Sequence, residues 1–169
     1  MTSTEKDATI IARWGGEEAL SAFLDRLLAD LCPLISGSHA PLPVLQLKPS
    51  WLASGVMGGD HAGADYEPSH GDRPATIGIF PRVLKDEAKV RSVLIHELIH
   101  HWEHLGSVGR ESLAYLGECD ALISSRYSEE SKQRRWRSGH SQVFIAKAAE
   151  VARRLNICVD DLLFERRSP

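Results

Sequence analysis

Cysteine is scarce and unpaired in this chain: Cys32, Cys119 and Cys158 form an odd, scattered set with no C-x-x-C spacing. That excludes a disulfide framework and a zinc ribbon, and predicts buried free thiols in a reducing compartment. Basic excess is also missing, since 20 Lys and Arg against 23 Asp and Glu leave a net charge of -3 with His neutral. No global positive field therefore advertises nucleic-acid binding. No apolar run approaches the ~20 residues needed to cross a bilayer. The opening "MTSTEKDATIIARW" has no basic stretch followed by an apolar one, so neither a membrane span nor a signal peptide is expected. Internal repeats are absent, as is any low-complexity tract beyond a charged linker at residues 127–138. With 169 residues, 43% hydrophobic and 25% charged, the composition predicts one cytoplasmic domain, residues 1–169, able to bury its own core.

Hydrophobic spacing organises what is there. Residues 1 to about 15 read as a loosely held lead-in. In "EEALSAFLDRLLADL", Leu20, Phe23, Leu24, Leu27, Leu28 and Leu31 follow the i, i+3, i+4, i+7 rhythm of an amphipathic helix over 17–31, ended by Pro33. A short strand is predicted at 44–47 between prolines. Residues 54–74, rich in Gly, Asp, Ser and Pro, read as one long loop or a hairpin around Gly58-Gly59. "ATIGIF" predicts a strand at 75–80, closed by Pro81. Helices are predicted at 86–105, 111–126 and 141–155. Helix, strands and a helix-rich second half indicate an α+β domain with a small antiparallel or mixed sheet packed on helices.

The helix at 86–105 carries "HELIHHWEH". Positions i and i+4 lie on one helical face, so His96 and His100 can grip one ion together. Neutral imidazoles suit zinc, which in catalytic sites takes three protein ligands and keeps a position for water. Glu97 would be the general base on that water. Val93, Leu94, Leu98 and Ile99 make the rest of the helix apolar, as a core helix requires. The bland alternative is a buried helix whose histidines only satisfy hydrogen bonds. His104 continues the i+4 series, but three ligands in line on one straight helix cannot surround a tetrahedral ion, and His101 points about 100° from His100. Both read as flanking groups, at the surface, behind the ligands or on the substrate side. A third histidine six residues after His100 is not available, because Gly106 stands there; the metzincin pattern fails.

Two residues remain for the third ligand. His140 sits in "SGHSQVF" at the start of an amphipathic helix marked by Val143, Phe144, Ala148, Val151 and Leu155. Glu118, in "LGECDAL", lies where gluzincin-type sites place a glutamate on the helix after the metal helix. A polar loop histidine and a solvated helix glutamate are the plain readings of the same residues.

The run "IGIFPRVL…VRSVLIHELIHHWEH…SGHSQVFIAKAAEVARRLNI" resembles the SprT-like family of minimal zinc metalloproteases, to which the Spartan proteases also belong. His96, Glu97 and His100 match its first motif; Gly139, His140 and Phe144 match most of its second, with the aromatic one position late and Ser141 where a second glycine is common. The likeness spans residues 75–155. It implies a minimal zincin-like fold, one Zn²⁺ held by His96, His100 and His140, and hydrolysis of peptide bonds with Glu97 as base. Against it, Glu118 resembles the E-x-[DE]-A element of ImmA/IrrE-type peptidases and stays open as the third ligand. With His140 as ligand, Glu118 and Asp120 become partners that orient an imidazole. Tyr115, Tyr127, His101 and His104 are the candidates for stabilising an oxyanion.

Extended substrate is expected to pair with the strand at 76–80 by strand addition. The resemblance further implies protein substrates associated with DNA. Arg134, Arg135, Trp136 and Arg137 offer a basic patch with an interleaved aromatic, and a solvated linker is the plain reading of it. The competing classes are a non-catalytic, zinc-stabilised regulatory or binding module, and a zinc hydrolase acting on a non-peptide amide.

Overall fold

The computed structural model describes residues 2–50, 63–105, 140 and 142–163. Backbone packing groups the chain into two compact units, Met1–His101 and Trp102–Pro169.

The first unit opens on a helix, α1 (Ser3–Arg13), where the sequence reading placed a loose lead-in. Its start is a capping box: Thr2 Oγ1 accepts from the Glu5 amide at 3.3 Å while Glu5 accepts from the Thr2 amide at 2.6 Å. Distant residues then hold the helix in place. Asp7 is buried and accepts from the amide and hydroxyl of Ser50 at 2.9 and 2.6 Å. Trp14 donates from Nε1 to the Leu84 carbonyl at 2.7 Å and packs its ring 4.9 Å from that of Phe23. The lead-in is thus part of the fold.

Helix α2 (Glu17–Ser36) buries Leu20, Leu24, Leu27, Leu28, Leu31, Cys32 and Ile35, the expected stripe. It does not end at Pro33. That residue lies on the exposed side and the helix continues one turn further, because Ile35 still reaches the core; Gly37, at φ 97°, breaks it. Pro33 removes one internal hydrogen bond without ending the helix.

Three strands follow: β1 (Val44–Leu47), β2 (Ala64–Glu67) and β3 (Thr76–Ile79). Their order is β1-β3-β2, with β1 parallel and β2 antiparallel to β3, a mixed sheet. β2 falls inside the stretch read as a loop. It is only four residues long and is flanked by Gly63 and Pro68, so composition hides it. The Gly58-Gly59 turn lies outside the described residues. Gly78 on β3 is flanked by Gln46 and Asp65 in register, and a Cβ there would meet the Asp65 carboxylate and the Lys48 side chain. Its absence lets Lys48 cross the sheet and pair with Asp65 at 2.9 Å and Glu67 at 2.8 Å.

A 3-10 turn (Pro81–Val83) leads to α3 (Glu87–His104), whose start is capped by Asp86 accepting from the Lys89 amide at 2.7 Å. Every residue from Val93 to Ile99 is buried. α3 is a core helix, as its apolar faces predict.

In the second unit, α4 (Gln142–Leu155) buries Phe144, Ile145, Ala148, Val151 and Ala152. Asn156, at φ 53°, stops it in a left-handed cap with Ile157 donating to the Ala152 carbonyl at 2.9 Å. The short α5 (Val159–Leu163) packs after it and was not foreseen. Lys147 is buried, pairs with Glu150 at 2.7 Å and lies 4.8 Å from the Trp102 ring centroid. The described residues therefore form an α+β structure with one small mixed sheet and five α-helices. No helix among them is long and apolar enough to cross a membrane. Cys32 is a buried free thiol whose pKa burial pushes up; Cys158, also free, is half-buried.

Candidate metal centre

The site begins with the pitch of α3. His96 and His100, one turn apart, face each other edge-on with ring centroids 5.0 Å apart. His140, two residues before α4, stacks on Phe144 at 4.3 Å. The ligand atoms of His96, His100 and His140 all lie within 4.8 Å of one another. A tetrahedral zinc with bonds of about 2.0–2.1 Å holds its nitrogens about 3.4 Å apart. The donor chemistry fits as well. Burial holds the His140 pKa below its ordinary value, favouring the neutral, ligating imidazole. His96 is buried and the other two are half-buried. These three histidines could hold a metal ion.

Beside His96, Glu97 is only 5% exposed. Burial, reinforced by the negative charge of Asp65, pushes its carboxyl up to about 8. A cation among the imidazoles acts in the opposite sense, favouring the carboxylate.

The remaining histidines part company. His101 is not a surface group: it is 1% exposed, with Nε2 2.8 Å from the Pro41 carbonyl and Nδ1 3.1 Å from the Tyr66 hydroxyl. His104 is exposed. Tyr66 went unnoticed in the sequence. It projects from β2, its ring nearly parallel to that of His100 (12°, centroids 6.4 Å), and burial pushes its hydroxyl up to about 12. Asp65 was missed with it. No sequence signal marked either one, because β2 itself was read as loop.

The strand expected to receive substrate also changes. β3 lies between β1 and β2, so its backbone groups are already paired on both sides. Addition of a further strand there is ruled out. Among the described residues, the free edges are those of β1 and β2.

Glu118, Asp120, Tyr115, Tyr127 and the Arg134–Arg135–Trp136–Arg137 patch lie outside the described residues. The helix expected at 111–126 lies there too. No family model matches the chain, and no curated protein or solved structure matches it significantly.

Proposed function

We propose that the chain is a zinc-dependent metallopeptidase with a minimal, zincin-like active site of the SprT-like kind. The observation that carries this reading is the convergence of three imidazoles, two of them one helical turn apart, with a buried carboxylate next in sequence to the first. His96, His100 and His140 would hold one zinc, leaving coordination room for water, where a purely structural site is usually closed by four protein ligands. Bound there, zinc supplies Lewis acidity toward a carbonyl and lowers the pKa of water. Glu97 takes the proton of the attacking water and passes it to the leaving amine. Its burial keeps that proton from bulk solvent and strengthens each charge interaction at the site.

In this reading the substrate class is extended polypeptide, received along β2. β2 has β3 on one side only among the described residues, and it carries Tyr66 beside His100. Backbone pairing along such an edge gives cleavage that tolerates many sequences. A cytoplasmic setting and DNA-associated protein substrates belong to the same reading through the resemblance, and DNA enters the test as a variable.

The test is hydrolysis of an unfolded protein by the wild type and by Glu97→Gln, with zinc, with EDTA, and with or without DNA. The expected result is zinc-dependent cleavage that falls by at least 10²-fold in the variant. Equal signals from the two chains would sink the peptidase. Bound zinc with no cleavage by either would leave a zinc-stabilised binding module.

A further inference from the structure

Tyr66 and His101 have no part in the proposed chemistry, yet they are tied together against one of its ligands. The Pro41 carbonyl can only accept, so His101 Nε2, 2.8 Å away, must carry a hydrogen. In the neutral ring this leaves Nδ1 as the acceptor, and the Tyr66 hydroxyl, 3.1 Å away, donates to it. The chain of donation runs from Tyr66 to His101 to Pro41. It fixes the imidazole of His101 at both nitrogens, and it fixes the phenol by its tip. The ring of Tyr66, edge-on to His101 at 5.7 Å, then stands nearly parallel to that of His100 at 6.4 Å. Centroid separations of this size are within the favourable range for offset rings.

We infer that Tyr66 and His101 form a clamp that holds the His100 imidazole in its metal-binding orientation, with Tyr66 as the positioning residue. This deepens the proposed function and rests on His100 being a metal ligand. Three different places in the chain contribute: the segment before β1, strand β2 and the helix α3. The neighbour of a ligand is thereby made the anchor for the residue that walls in that ligand. A ligand ring held before metal arrives has less orientational freedom to lose on binding.

The test reads metal binding and ring geometry, not turnover. Zinc affinity is measured by chelator competition and cobalt(II) absorption is recorded, for the wild type and for Tyr66→Phe, Tyr66→Leu, His101→Leu and His101→Gln. Histidine ring ¹⁵N–¹H spectra are taken on the metal-free chains. Outer partners of metal ligands typically contribute 10- to 100-fold in affinity. Tyr66→Leu and His101→Leu are expected to weaken zinc binding by about that factor and to shift the cobalt band. Tyr66→Phe, which keeps the ring and loses the tip, should weaken it by about 3- to 10-fold, at or below the low end of that range. His101→Gln should return most of the loss, because an amide can both donate to Pro41 and accept from Tyr66. In the metal-free wild type, His101 should show the Nε2–H tautomer, with its Nδ1 signal moving in Tyr66→Phe. Should the leucine variants fail to fold, Tyr66→Phe and His101→Gln decide alone. A chain that takes up zinc and cobalt while Tyr66→Phe alters neither affinity, band nor ring signals overturns the clamp. A wild type that takes up neither metal removes the metal centre itself, and the clamp's purpose with it.

Discussion

Replacing Glu97 with glutamine in metal-free protein separates the physics of this carboxyl from any question of turnover. In the folded chain its pKa stands near 8 because it is buried and sees Asp65, against an ordinary value of 4.5. Between those two values the unfolded chain has lost the proton and the folded chain keeps it. The folded state then binds more protons than the unfolded one, so stability falls as pH rises through this window. Each pK unit is worth about 1.4 kcal/mol, and the shift of roughly three and a half units amounts to about 3–5 kcal/mol, nearly all of it present by pH 8. Glutamine has no such titration. Urea unfolding in EDTA at pH 5, 6.5 and 8 should therefore show wild type losing ground to Glu97→Gln by roughly 3 kcal/mol between the first and last pH. His140 contributes the opposite slope below its ordinary pKa, since burial disfavours its charged form, but both chains carry it and the difference cancels. Zinc should shrink the gap, because a nearby dication favours the carboxylate. Parallel stability profiles in EDTA would refute the claim that burial holds the Glu97 carboxyl protonated.

Other parts of the structure make their own predictions. Asp65→Asn removes the second cause of the Glu97 shift, so the metal-free pH window should narrow from its upper end, measured by the same unfolding series. Gly78→Ala places a methyl against Lys48 and Asp65; a loss of about 1–3 kcal/mol in urea unfolding is expected, and none would mean that the Lys48 crossing adjusts freely. Asp7→Ala removes both hydrogen bonds to Ser50 and should cost about 1.5–3 kcal/mol, with proteolysis now cutting within the first 15 residues. Unchanged protease resistance there would show that Trp14 alone secures α1.

What could be read from the residues, and what could not, divides along the range of the interactions. The helix carrying His96 and His100 was legible because its paired histidines and its apolar faces all lie within a few turns of one another. The stripe of α2 was legible for the same reason, although its end was not: Pro33 is a local stop signal, and Ile35 answers to a core that the local sequence does not display. α1 had a visible signal, the T-x-x-E of Thr2 and Glu5. Its apolar residues are few, Ala8, Ile10, Ile11 and Ala12, and its anchors, Ser50 and Leu84, stand 43 and 70 residues away. Strand order failed in a more instructive way. "ATIGIF" is a nearly continuous apolar run, which is how a strand covered on both sides reads, yet its place just before the metal helix suggested an edge. The structure gives it the centre, and among the described residues the four of "ADYE" take the edge beside His100. Two candidate ligands therefore come from one turn of helix, while the phenol and the carboxylate beside them come from a strand some 30 residues earlier in the chain. A motif of five residues names the atoms that would touch a metal. Tyr66 and Asp65 are brought beside His100 and Glu97 by pairing β2 to β3, and that pairing leaves no periodic mark on the residues it recruits.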